Sequence, residues 1–301
     1  MVDLDQLGSD DKRSVRDVAE AFLAWAKQKN LFDKTPLEDG LDQDEVDYDV
    51  TSNEFLAQAT ETILRKRSVN LVGFSEPERK IIVFTHSKVS KSDEKTLPFK
   101  FGECTVEYAQ GGIAQVKGNP PPPQNPQPYI LRGNHYTCGS SVFPAHCIGA
   151  GTLGLIVKDN QGKLYGLSNN HVTGACNNAM PGLPILAPGP LDATENACDP
   201  FTVGRHSSLL PINDGIPENI DISENCDASL FELSDSSKVT SYQGNYFDTP
   251  QTTAIPIPSM KVKKVVRTTG LTLGTIVAQS ASPVPVSYAV TEYGVKKNCM
   301  V

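Results

Sequence analysis

Apolar residues recur at helical spacing only near the start of the chain. Val15, Val18, Ala19, Phe22, Leu23 and Ala26 fall on one face, with Ser9-Asp10-Asp11 ahead of them as capping residues and Asn30 as a stop. Trp25, the only tryptophan, borders this stripe, which reads as a helix face packed on a neighbour. A second helix is expected from Thr51-Ser-Asn-Glu54, a capping-box pattern, and carries Phe55, Leu56, Ala59 and Ile63. Between the two, residues 33–50 are rich in Asp, Glu, Gly and Pro and have no period. Asp42, Asp44, Asp47 and Asp49 lack the glycine and terminal glutamate of an EF-hand loop, so this segment reads as a solvated acidic loop rather than a calcium site.

From Ser68 the period changes. Val69–Phe74, Lys80–Thr85, Cys104–Tyr108 and Ile113–Val116 are short, β-branched or aromatic runs separated by polar turns. Six prolines in the ten residues Asn119–Pro128 predict a stiff extended linker, with a ligand for a Pro-binding domain as the alternative. Beyond it helical periodicity nearly vanishes. Thr152–Lys158 and Lys163–Ser168 flank Asp159-Asn-Gln-Gly162 as a hairpin, and Ala228–Leu233, Lys261–Thr268 and Thr275–Ala278 predict further strands. The expected class is mostly β: an antiparallel barrel or sandwich preceded by a small α+β module. The boundaries follow as an acidic helical region over 1–67, the β-rich part of the module over 68–118, a linker over 119–128 and a second domain over 129–301.

Charge sharpens this division. The 301 residues carry a net −8, and residues 1–62 hold 16 acidic against 6 basic side chains, so an acidic module precedes a nearly neutral body. Such a balance argues against nucleic acid as a partner. No apolar run approaches the roughly 20 residues of a membrane span, and the acidic N-terminus has no apolar signal segment. With seven cysteines, an odd number, reduced thiols in a cytoplasmic protein are expected.

Two residues stand out for chemistry. His171 lies just past the expected strand Lys163–Ser168, in Ser168-Asn-Asn-His171-Val172, where a rigid scaffold presents an imidazole to a cleft. Asp227, in Asn225-Cys-Asp227-Ala-Ser-Leu230, opens a strand of small and apolar residues at the edge of buried structure, where it can hold the second ring nitrogen. The alternatives are a turn histidine and a strand-start turn aspartate; Asp221 is a weaker candidate for the acid. Arg267-Thr-Thr-Gly270-Leu-Thr-Leu-Gly274 places two glycines among β-branched residues and predicts a bend where the chain enters a second barrel. His86, His135 and His206 read as structural. Cys138, His146, Cys147, Cys176 and Cys198 could offer soft ligands to zinc, yet no Cys-x-x-Cys pair occurs, so no metal or other cofactor is expected.

In order along the chain, Ala150-Gly-Thr-Leu-Gly154, Leu167-Ser-Asn-Asn-His171-Val172, Cys226-Asp227-Ala-Ser-Leu230 and Thr268-Thr-Gly270-Leu-Thr272 resemble trypsin-like serine proteases. The likeness is to the narrow-leaf proteins of plants and their bacterial relatives, over residues 130–301 and more loosely over the preceding module. It implies two six-stranded antiparallel barrels with the active site between them, His171 as general base and Asp227 as its orienter.

The family's nucleophile, a Gly-Asp-Ser-Gly turn, does not occur in these 301 residues. By resemblance it follows the Asp by on the order of 90–110 residues, whereas 74 remain after Asp227. The expectation is a trypsin-like endopeptidase domain cut off before its serine, inactive alone, with an incomplete second barrel whose strand edges pair with a second copy or a complementing C-terminal fragment. Its substrate would be a protein or peptide. The competing expectation is a binding or regulatory protein that keeps the scaffold without catalysis. Cys176 and Cys226 are alternative nucleophiles beside the imidazole, neither at the family's nucleophile position.

Overall fold

The computed structural model describes residues 14–32, 58–111, 131–132, 134–193, 201–215, 219–290 and 295–300. The acidic loop over 33–50, the capping box at 51–54, the expected strand over 113–116 and the proline-rich segment over 119–128 lie outside them. The chain divides into two units, the first comprising 1–113 with 256–260 and 275–284, the second 114–255 with 261–274 and 285–301. The two short returns to the first unit, over 256–260 and 275–284, lie within the span that the sequence assigns to a second domain at 129–301. They are made by strand pairing and turns, which carry no compositional mark.

In the first unit, α1 (Val15–Gln28) buries Val15, Ala19, Phe22, Leu23 and Ala26 of the expected stripe together with Trp25 beside it, while Val18 is half-buried. Its start lies at Ser14, not Ser9: the Ser14 hydroxyl accepts from the Asp17 amide while the Asp17 carboxylate accepts from the Ser14 amide. Helix α2 (Gln58–Arg67) buries Thr60 and Leu64, so Ala59, expected on its apolar face, is exposed. Strands β1 (Val69–Ser75) and β2 (Lys80–Thr85) form an antiparallel hairpin. The short helix α3 (Lys91–Glu94) then leads through β3 (Lys100–Phe101) to β4 (Cys104–Gln110), which lies parallel to β2. A returning strand at Gln279–Ser280 pairs with β1. Phe22, Leu31, Leu64, Val69, Ile81 and Phe101 form the fully buried centre of this core.

The second unit is almost wholly β. Its strands are β5 (Leu131–Arg132), β6 (His135–Cys138), β7 (Ser141–Pro144), β8 (Gly151–Thr152), β9 (Leu155–Lys158) and β10 (Leu164–Ser168). After the one-turn helix α4 (Asn170–Thr173) come β11 (Pro184–Ala187), β12 (Phe201–Leu210), β13 (Ala228–Leu233), β14 (Val239–Gln243), β15 (Lys261–Val266) and β16 (Gly270–Thr275). Gln279–Ser280 (β17) belongs to the first unit, and β18 (Pro285–Val290) with β19 (Val295–Met300) closes the series. Seven strands form one curled antiparallel sheet in the order β8-β7-β11-β12-β13-β10-β9. Val142, Leu153, Ile185, Val203 and Phe231 fill its inner face. The fold is therefore mostly β with a curled antiparallel sheet, as the strand-and-turn texture implied.

The glycine-rich stretch after Lys261 is corrected by the structure. Gly270, at φ +61°, opens β16, and β15 and β16 make a two-stranded sheet. The chain reverses over Arg267–Gly270 rather than bending into a continuing strand, and Thr275–Ala278 is not a strand beyond Thr275. Two glycines among β-branched residues fit a hairpin as well as a bend, and only the pairing partner decides. Leu271, Leu273 and Val262 of this hairpin are exposed.

The hairpin is tied down at its turn. Arg267 Nη1 donates to both carboxylate oxygens of Asp192, at 2.8 and 3.0 Å. Both side chains are nearly inaccessible, 7% and 4% exposed. Asp192 Oδ2 also accepts from the Ser141 hydroxyl at 2.5 Å, and that hydroxyl accepts from the Gly189 amide. Among the described residues no helix is long and apolar enough to cross a membrane.

Candidate active site

Antiparallel pairing brings the site together. Ser168, the last residue of β10, lies opposite Ser229 near the start of β13. The chain three residues past the first therefore meets the chain two residues before the second, and these positions hold His171 and Asp227. Sequence reasoning placed each at a strand end; the register makes them neighbours across 56 residues.

The contact is bidentate. His171 Nδ1 lies 2.5 Å from Asp227 Oδ2, and the His171 amide donates to Asp227 Oδ1 at 2.9 Å. Asn169 Nδ2 donates to the Asp227 carbonyl at 3.0 Å and to Oδ2 at 3.1 Å, and the Tyr288 hydroxyl donates to Oδ2 at 3.2 Å. Burial alone would push the Asp227 carboxyl up. The hydrogen bonds and charge of His171, with the Tyr288 hydroxyl, outweigh it and hold the group below its usual range. An ionised carboxylate only accepts, so Nδ1–H is the donor to Oδ2, and Nε2 is the ring nitrogen that the carboxylate does not engage. No described residue is hydrogen-bonded to Nε2, and the His171 side chain is 28% exposed.

The surroundings hold this geometry from several sides. The buried Thr173 hydroxyl lies 2.5 Å from that of Ser229, which donates to the Asn169 carbonyl, fastening α4 to β13. Gly151 lies so close under α4 that a Cβ there would come within 2.1 Å of Val172. The chain then leaves α4 through Ala175, Cys176 and Asn177, all at positive φ (49°, 51° and 73°), a conformation costing about 1–2 kcal/mol for each L residue. Asparagines offset that cost. Asn170 Oδ1 accepts from the Asn177 amide, Asn170 Nδ2 donates to Asn177 Oδ1 and the Leu210 carbonyl, and the Asn177 side chain bonds both backbone groups of Ile212.

The sequence singled out Ser-Asn-Asn-His as a pattern without assigning work to its asparagines: Asn169 braces the carboxylate and Asn170 the following loop. Tyr288 was missed altogether, because β18 reaches the site only through long-range packing. The other candidates stand apart. Asp221 is exposed and caps its own turn by accepting from Ser223. Cys176 is buried against Ile212, Val286 and Tyr288, and Cys226 is half-buried. Cys138 is buried and its thiol is pushed up to about 11, a state unsuited to metal ligation or attack. Cys198 lies outside the described residues, among which no group of three or more His, Cys, Asp or Glu is placed to hold a metal ion. His86, His135 and His146 are exposed.

His206, on β12, is buried, and its ring bonds the Thr173 backbone while Nδ1 has no partner among the described residues. Burial depresses its pKa below the ordinary 6.5. The unfolded chain therefore takes up this proton first, so the contribution to stability is complete above about pH 6.5 and is lost as pH falls below it. The expected result is a melting temperature that drops between pH 7.5 and 5.0, with a smaller drop in His206→Gln, measured by circular dichroism. Equal drops in both chains would contradict it.

Compared with known proteins, the chain matches no family model, and no curated protein sequence is significantly similar to it.

Proposed function

We propose that the chain is the His–Asp part of a trypsin-like serine endopeptidase, related to the narrow-leaf proteins of plants, with the curled sheet of the second unit as its first barrel. The observation that carries this reading is the His171–Asp227 pair: Nδ1 is held at 2.5 Å by an ionised carboxylate, and Nε2 has no partner among the described residues. In this mechanism Nε2 removes the proton from a serine hydroxyl as that oxygen attacks a peptide carbonyl. Asp227 fixes the tautomer and stabilises the imidazolium that forms. His171 then returns the proton to the leaving amine, and the acyl-enzyme is hydrolysed by the same route in reverse.

No serine within the 301 residues follows Gly-Asp, so the nucleophile and its oxyanion donors come from outside them, from the same polypeptide or a complementing one. The test is hydrolysis of an unfolded protein substrate. The native protein carrying this chain is expected to cleave it, His171→Ala to reduce cleavage to background, and the 301-residue chain alone to show none. Cleavage that survives His171→Ala, or a native protein without hydrolysis, would overturn the reading.

A further inference from the structure

We propose that Tyr288 is a positioning residue of the His171–Asp227 pair, its hydroxyl bracing the carboxylate while its ring covers one face of the imidazole. The two contacts are independent. The phenol oxygen lies 3.2 Å from Asp227 Oδ2, the same oxygen that receives Nδ1. The ring lies 4.7 Å from the imidazole, centroid to centroid, at an interplanar angle of 17°. A tyrosine that merely filled a core would satisfy its hydroxyl on any acceptor; this one shares the acceptor of the general base. It is also fixed from below, because Tyr288 and Val286 on β18 are buried against Cys176 and Ile212. Cys176 belongs to the left-handed loop that follows α4, so the loop after His171 and the ring on top of it form one packed cluster.

Two effects follow. The hydroxyl takes up part of the carboxylate's accepting capacity and so moderates the bond that Oδ2 makes with Nδ1–H. The ring blocks rotation of the imidazole and offers its π face to the imidazolium, a favourable contact when charge appears. The proposal rests on His171 acting as a general base, but its test does not depend on peptide cleavage.

The readout is the low-field proton resonance of His171 Nδ1–H in the 301-residue chain, assigned by ¹⁵N-histidine labelling and by its absence in His171→Gln. Tyr288→Phe keeps the ring and removes the hydroxyl. The carboxylate then accepts more strongly from Nδ1–H, and the resonance is expected to move downfield while the melting curve changes little. Tyr288→Leu removes the cover, and the resonance is expected to broaden severalfold through exchange with water. If Tyr288→Leu does not fold, Tyr288→Phe alone decides. A Tyr288→Phe resonance superimposable on that of the unchanged chain overturns the proposal, and does so whether or not the native protein proves to be a peptidase.

Discussion

On the proposed peptidase reading, replacing Asp227 by Asn in the native protein is expected to lower kcat about 10⁴-fold, the loss that follows when an imidazole is left in the wrong tautomer. The carboxylate accepts from the His171 amide, His171 Nδ1, Asn169 and Tyr288. An amide of the same shape accepts through one atom and donates through the other. If its NH₂ group faces Nδ1, the ring proton moves to Nε2, the atom proposed to act as the base. KM should change far less than kcat, because the carboxylate acts through the imidazole. Steady-state kinetics at neutral pH check this, and a decrease of tenfold or less would mean that Asp227 only fixes the strand end.

The largest effect on stability is expected at Asp192. Asp192→Ala leaves the Arg267 guanidinium buried without its carboxylate and the Ser141 hydroxyl without its acceptor. The expected cost is about 3–5 kcal/mol, read as a fall in the urea midpoint. Because the penalty comes from an unpaired charge, Asp192→Leu combined with Arg267→Met should recover most of it. A double variant as unstable as Asp192→Ala would mean that the pair contributes through its hydrogen bonds to Ser141, not through charge compensation.

The comparison of sequence with structure turns on which signals are local. Helix α1 was legible because its period and its capping serine lie within one stretch, although the cap is Ser14 and not Ser9. Strands β1, β2, β10 and β13 were legible from β-branched runs bounded by turns. His171 and Asp227 were legible as strand-end residues, and the long-range antiparallel register of β10 and β13 places those ends side by side. What escaped depends on distant partners. Nothing around Leu191-Asp192 or Arg267 indicates that the two share a buried bond across 75 residues. Val286 and Tyr288 look like ordinary alternation on a strand, and only long-range packing with Cys176 and Ile212 sets the Tyr288 ring against the imidazole. Gly270 misled because a positive-φ glycine serves a turn and a bend equally well.

The most direct test of the central claim is to map the adduct formed when the native protein reacts with a fluorophosphonate. Peptide mass spectrometry is predicted to find the phosphonyl group on a serine outside these 301 residues, in yield that falls to background in His171→Ala. A phosphonyl group on a residue within the chain, or labelling indifferent to His171, would contradict it.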